Sequence, residues 1–175
     1  MSAIDGAAAV RPAADDELAG LAEVEKASEA PFIEAGMILP AEYVTEDDLR
    51  KCAVVLVAPG PSGTPVGFAS VEALDGAAHL AQLSVDAEFG RRGIGRGLLA
   101  AVIGWARRGG LPAVTLTTYR DVPWNGPFYR RYGFVDLDES ELTPGLRAHR
   151  DQEIAMGLDK FGPRVAMRRS LRAAR

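Results

Sequence analysis

Ala78-His79-Leu80-Ala81-Gln82-Leu83-Ser84-Val85, followed after a short loop by Arg91-Arg92-Gly93-Ile94-Gly95-Arg96-Gly97, decides the fold. The first segment reads as a strand, and an amphipathic stretch opens directly from the glycines. Wound at the helical period, Leu98, Leu99, Val102, Ile103 and Ala106 fall on one face, and Gly109-Gly110 stops the helix. The first N–H groups of a helix have no intrahelical partner and carry the positive end of its dipole, so a strand, a glycine loop and a helix in that order form a cradle for an anion. Glycine lets the ligand approach the backbone closely.

Spacing excludes two competing phosphate loops. No glycine is followed after four residues by Gly-Lys-Ser/Thr, as a nucleotide-triphosphate loop requires. The third glycine of a dinucleotide fingerprint would fall at Leu98, and Gly93/Gly95 lie far from the first strand of the chain.

Outward from this core, 175 residues at 47% hydrophobic content predict one domain over residues 1–175. A formal net charge of −4 argues against a general nucleic-acid binder, although Arg164 to Arg175 forms a basic end. Cys52 is the only cysteine, which excludes a disulfide framework or a cysteine-based metal site within one chain, and its place before an apolar run reads as a buried inert thiol. No apolar run reaches membrane-spanning length and no signal pattern opens the chain, so a cytoplasmic protein is expected.

The remaining pattern predicts a first strand over Ala7–Arg11 and a helix from Asp15 to about Ala30, ended by Pro31. A second helix is expected over Ala41–Lys51, with Thr45 and Asp48 as an internal cap signal. Strands follow at Ala53–Ala58 and Val66–Leu74 around the turn Pro59-Gly60-Pro61-Ser62-Gly63, and Asp75-Gly76 turns the chain into Ala78–Val85. Ala113–Thr118 reads as a strand, Pro123–Tyr132 as a short helix, Phe134–Leu137 as a strand and Leu146–Met156 as a helix after an interruption at Pro144-Gly145. Arg164–Leu171 closes the series as a strand.

The glycine loop and Asn125-Gly126-Pro127-Phe128-Tyr129-Arg130-Arg131-Tyr132-Gly133-Phe134 together resemble the GNAT acetyltransferases, over nearly all of the chain. The resemblance implies an α/β (α+β) fold with a central mixed, mostly antiparallel sheet of six to seven strands flanked by helices. It implies acetyl-CoA as donor, with the pyrophosphate on backbone N–H groups of Arg91, Arg92, Gly93, Ile94, Gly95, Arg96 and Gly97. The family usually places Gln or Arg where this chain has Gly90; Arg91 and Arg92 either take over that contact or form a solvated basic edge.

By the same resemblance, a bulge near Leu83-Ser84-Val85 splays the strand, the Leu83 N–H meets the thioester carbonyl and Val85 pairs with the pantetheine amide. Ordinary strand packing is the alternative for Gln82 and Ser84. Tyr129 occupies the tyrosine of the family pattern Phe-Tyr-x-x-x-Gly-Phe and is the expected acid for the departing thiolate, against a plain packing role. For the base, His79 lies fourteen residues before Gly93, where histone-acetylating relatives place a glutamate, and Glu72 on the preceding strand is its rival.

The stretch ahead of the tyrosine departs from the commonest family form, carrying Val122 where an Asn is usual. A Pro123-Trp124-Asn125 element stands there instead and resembles a bacterial branch of the family. Asn125 either lines the cofactor site or caps the helix as a loop anchor. The expectation is an N-acetyltransferase acting by direct attack of an amine in a ternary complex, with a homodimer left open. A non-catalytic acyl-CoA-binding sensor or an interaction protein of the same fold is the rival.

Overall fold

The structure is a computed structural model that describes residues 9–172. The elements in chain order are β1 (Arg11–Pro12), α1 (Leu21–Ala27), α2 (Ala30–Glu34), α3 (Glu46–Lys51), β2 (Val54–Pro59), β3 (Pro65–Leu74), β4 (Ala77–Val85), α4 (Ile94–Arg108), β5 (Ala113–Tyr119), α5 (Gly126–Arg131), β6 (Val135–Asp136), α6 (Pro144–Ala155) and β7 (Arg164–Ser170). The seven strands form one sheet in the order β1-β2-β3-β4-β5-β7-β6. All neighbours are antiparallel except β4 and β5, which run parallel and are joined across one face by α4. This is the mixed, mostly antiparallel α/β sheet that the family resemblance implies.

Strand alternation divides the core between the two faces. Leu56, Ala58, Val71, Ala78, Leu80, Val114, Leu116 and Met167 meet the buried stripe Leu98, Leu99, Val102, Ile103 and Ala106 of α4. Val55, Val57 and Phe68 point the other way, onto Leu18, Leu21 and Leu49 of the α1 and α3 side. Truncating the fully buried Leu98 to alanine would cost about 2–5 kcal/mol. Among the described residues no helix is long and apolar enough to cross a membrane.

Several boundaries differ from the sequence expectation. The part of Ala7–Arg11 before Ala9 lies outside the described residues, and the observed first strand is Arg11–Pro12. Pro31 does not end a helix: the break falls at Ser28 and Glu29, and Pro31 stands in the first turn of α2, where its missing N–H costs nothing. The second helix starts at Glu46 rather than Ala41, because the Val44 N–H is taken by the Glu25 carboxylate at 2.7 Å and Thr45 is the true N-cap, accepting from the Asp48 N–H at 3.2 Å. Pro144-Gly145 likewise opens α6 instead of interrupting it, and α5 begins at Gly126, three residues later than expected.

Candidate active site

β4 and β5 pair only at Ala78↔Val114 and His79↔Thr115. Beyond that rung they part, leaving a V-shaped opening between Leu80–Val85 on one side and Leu116–Tyr119 on the other. The bulge on β4 lies at Ala81, not over Leu83–Val85: Val71 pairs with Leu80 and Ser70 with Gln82, so Ala81 has no partner on β3. After the bulge the direction of the backbone groups is fixed. The Asp86 N–H donates to Val66 O at 2.8 Å, and alternate residues of a strand direct their polar groups to opposite sides. Ser84 therefore faces β3, while Leu83 and Val85 turn their N–H and C=O groups into the opening.

The opening ends at the glycine loop. Gly93 is the N-cap of α4 with φ +80°, a conformation that favours glycine, and Arg91 reaches a similar one with φ 59°. The Gly97 N–H already bonds Gly93 O at 2.9 Å, which leaves the N–H groups of Ile94, Gly95 and Arg96 as free donors at the positive end of the helix. A Cβ added at Gly95 would meet nothing nearer than Val85 Cγ2 at 3.9 Å, so the space over the loop is open. Arg91, Arg92 and Arg96 are exposed around it, Arg92 resting over the Phe89 ring at 5.4 Å.

Tyr129 stands on the α4 face of the sheet, 7% exposed, wedged between Phe128 and Phe134 with ring centroids 5.1 and 5.7 Å away. Its hydroxyl makes no hydrogen bond among the described residues, and burial pushes its pKa up, keeping it protonated. Gly126 fixes the helix that carries it. An added Cβ there would lie 2.2 Å from Arg120 O, so only glycine lets α5 abut the end of β5. Asn125 is the N-cap by position, but its side chain does not cap: Nδ2 donates to Trp124 O at 3.3 Å and the buried Oδ1 has no partner. Trp124 leans edge-on against Phe32 of α2, 5.2 Å away.

The rival bases lie on the opposite face. Glu72 and His79 are direct partners across β3 and β4. His79 is 2% exposed, its Nδ1 is 3.0 Å from Thr115 Oγ1, and burial, then repulsion from His149, lowers its pKa from 6.5 to about 4. A third group, which the sequence reading passed over, joins them: His149 of α6 stacks on His79 at 4.7 Å and sets Nε2 3.7 Å from Glu72 Oε2. Gln82 and Ser84 share this face, the Gln82 amide donating to Ser84 Oγ at 2.8 Å.

Both ends of α6 are tied to the sheet. At its start Asp75, in the β3–β4 turn, accepts from the Thr143 hydroxyl and, at 2.9 Å, from the Gly145 N–H; these bonds, the Thr143 one first, hold its carboxyl below the usual range. Farther along, half-buried Glu153 is clamped by Arg150 at 2.5 Å and Arg164 at 2.9 Å and accepts from Thr117. Leu146, His149, Arg150 and Glu153 recur at helical spacing, a stripe whose buried Leu146 marks it as the sheet-facing side. Cys52 is half-buried and burial raises its thiol pKa. Among the described residues no cluster of three metal-ligating side chains exists.

This arrangement places the point where β4 and β5 part between a protonated tyrosine on one face of the sheet and a carboxylate–imidazole group on the other. The family model of the GNAT acetyltransferases matches residues 15–134, and the chain belongs to that family. Solved structures with the same fold include N-acetylglutamate synthase from Neisseria gonorrhoeae complexed with coenzyme A and N-acetyl-glutamate (TM-score 0.69, 20% identity), where the match covers 94% of this chain and 35% of the other. The chain thus spans about a third of that enzyme. The PaiA N-acetyltransferase from Thermoplasma acidophilum, in complex with coenzyme A, aligns at TM-score 0.67 and 18% identity over 92% of this chain and 97% of its own. The ribosomal-protein-S18-alanine N-acetyltransferase from Escherichia coli aligns at 0.67 and 15% over 95% of each.

Proposed function

We propose that the protein is an acetyl-CoA-dependent N-acetyltransferase that passes acetyl to an amine by direct attack in a ternary complex. The observation that carries this reading is the parting of β4 and β5 beyond His79↔Thr115, with Tyr129 on one face of the sheet and Glu72 and His79 on the other. Neighbours of the same fold that hold coenzyme A support the donor. When bound, acetyl-CoA supplies an activated thioester.

The free N–H groups of Ile94, Gly95 and Arg96 bind the pyrophosphate, with the exposed side chains of Arg91 and Arg92 adding charge. The N–H of Leu83 donates to the acyl oxygen and stabilises the negative charge that develops there, and Val85 holds the pantetheine by a strand-like contact. Asn125 Oδ1, buried without a partner, accepts from a donor arriving at the loop before α5.

Tyr129 donates to the sulfur as it leaves. Its raised pKa means that full transfer to a thiolate is uphill, so the proton must be replaced by one of those the amine sheds. On the far face the amine enters beside Glu72 and His79, where its proton has to be collected before attack.

Thiol release measured over a panel of amines, spanning amino acids, polyamines, aminoglycosides and peptide amino termini, tests this. The expected result is saturable release with one amine class. Coenzyme A binding with no release on any amine would reduce the protein to an acyl-CoA-binding sensor.

A further inference from the structure

We propose that His149, rather than His79 or Glu72, is the side chain that takes the proton from the acceptor amine, with Glu72 orienting it and His79 serving as its buried platform. The inference rests on the acetyltransferase reading above and names the proton acceptor of that site.

A base in this reaction has two duties: it must meet the amine, and it must afterwards pass the proton to bulk water. His79 fails the second, since it is 2% exposed and its Nδ1 is engaged by Thr115 at 3.0 Å. Its cation would also be formed inside the sheet against a full desolvation cost. His149 meets both duties. Its side chain is 32% exposed, and its ring lies over His79 at 4.7 Å and 30°, directly above the rung where β4 and β5 part.

Glu72 Oε2 lies 3.7 Å from Nε2, beyond hydrogen-bond distance yet occupying that edge of the ring, which leaves Nδ1 to face the amine. The field at this ring is acidic overall. Glu72 faces it from β3 and Asp75 from the β3–β4 turn; Glu153, one turn along its own helix, is paired with Arg150 and Arg164, Arg150 also with Asp159, and the neutral His79 lies beneath. Cys52 also lies in the field of Glu72, its thiol pKa raised by burial first and then by that carboxylate. The charges that face the ring without a partner of opposite sign are therefore carboxylates.

The protons balance. The ammonium gives one proton to His149 Nδ1; the neutral amine forms the C–N bond, the C–S bond breaks, and the sulfur takes a proton from Tyr129. The second proton shed by the nitrogen restores the tyrosine, and His149 releases the first to solvent through its exposed edge. Net, one ammonium and one thioester give one amide, one thiol and one free proton.

The test uses the full chain and the amine selected by thiol release, with His149→Gln and Glu72→Gln compared over pH. H149Q should lower kcat/KM near neutrality about a hundredfold, lose the acidic limb of the profile, and approach wild type at alkaline pH where the amine is already neutral. E72Q should keep the limb and lower kcat/KM less than H149Q does. Coenzyme A affinity, measured by calorimetry, should be unchanged in both. The chain has only two histidines, so ring NMR without substrate gives an independent reading: H149Q should displace the His79 signal and E72Q the His149 signal. An unchanged limb in an active H149Q overturns the inference while leaving the acetyltransferase reading intact. Absence of thiol release by wild type with every amine overturns both.

Discussion

His79 Nδ1 stands 3.0 Å from the Thr115 hydroxyl at the last rung that joins β4 to β5 before they part. The parallel pair is held at its vertex by a buried polar contact, and the price of that position falls on the imidazolium.

Because burial takes His79 from 6.5 to about 4, the unfolded chain binds a proton there between those pH values and the native chain does not. The folded pKa is depressed, so the stability it contributes is present above pH 6.5 and is lost as pH falls toward 4; the full shift corresponds to about 3 kcal/mol. Urea midpoints measured from pH 7 to pH 4 should fall less steeply in His79→Gln than in wild type. Equal slopes would mean that the imidazole is not held neutral by the fold.

Tyr129→Phe keeps the ring contacts with Phe128 and Phe134 and removes only the hydroxyl proton. Turnover should fall about a hundredfold with coenzyme A affinity retained, as for a lost general acid. Since burial raises the tyrosine pKa, deprotonation of Tyr129 should not appear as a basic limb between pH 8 and 10 in the wild-type profile, about the range of free tyrosine and below. A wild-type basic limb in that range that disappears in Y129F would contradict the buried, protonated state.

The glycine loop, the α4 stripe and the tyrosine pattern were legible because each is local: their periods and spacings lie within one stretch of chain. All five residues expected on the inner face of α4 are buried. The bulge at Ala81 was not legible, since it is a property of the register between β3 and β4. His149 was missed for a related reason. Its stripe with Leu146 and Glu153 is visible at helical spacing, but a mixed polar stripe reads as a solvent face until Asp75 and Arg164 are seen tying that helix to the sheet. The proline readings at Pro31 and Pro144 erred by treating as stops residues that also suit a first helical turn.

Gly126 shows how tightly the tyrosine helix abuts β5. Alanine there would place Cβ 2.2 Å from Arg120 O and 3.1 Å from Tyr119 O, both backbone atoms that cannot rotate away. Gly126→Ala should destabilise by about 3 kcal/mol or displace α5, lowering turnover together with stability. Thermal unfolding and thiol release measured on the same preparation check this; a variant of wild-type stability and turnover would show that the contact is relaxed in solution.

Gly95 separates the needs of the fold from those of the ligand. It is the second residue of α4, where a new Cβ meets only Val85 at 3.9 Å, so the empty fold accepts a side chain. Gly95→Ala should raise stability by roughly 0.5–1 kcal/mol, because alanine loses less backbone freedom in a helix. Gly95→Asp should be tolerated as well, since an acid in the first turn complements the dipole. Toward the proposed pyrophosphate the signs reverse: the methyl would occupy the space over the free N–H groups, and the carboxylate would repel the anion that the dipole attracts. Calorimetry with coenzyme A should show weaker binding in G95A and a loss of about a hundredfold or more in G95D, while both melt at or above the wild-type temperature. Wild-type affinity in a folded G95D would move the pyrophosphate away from this helix start.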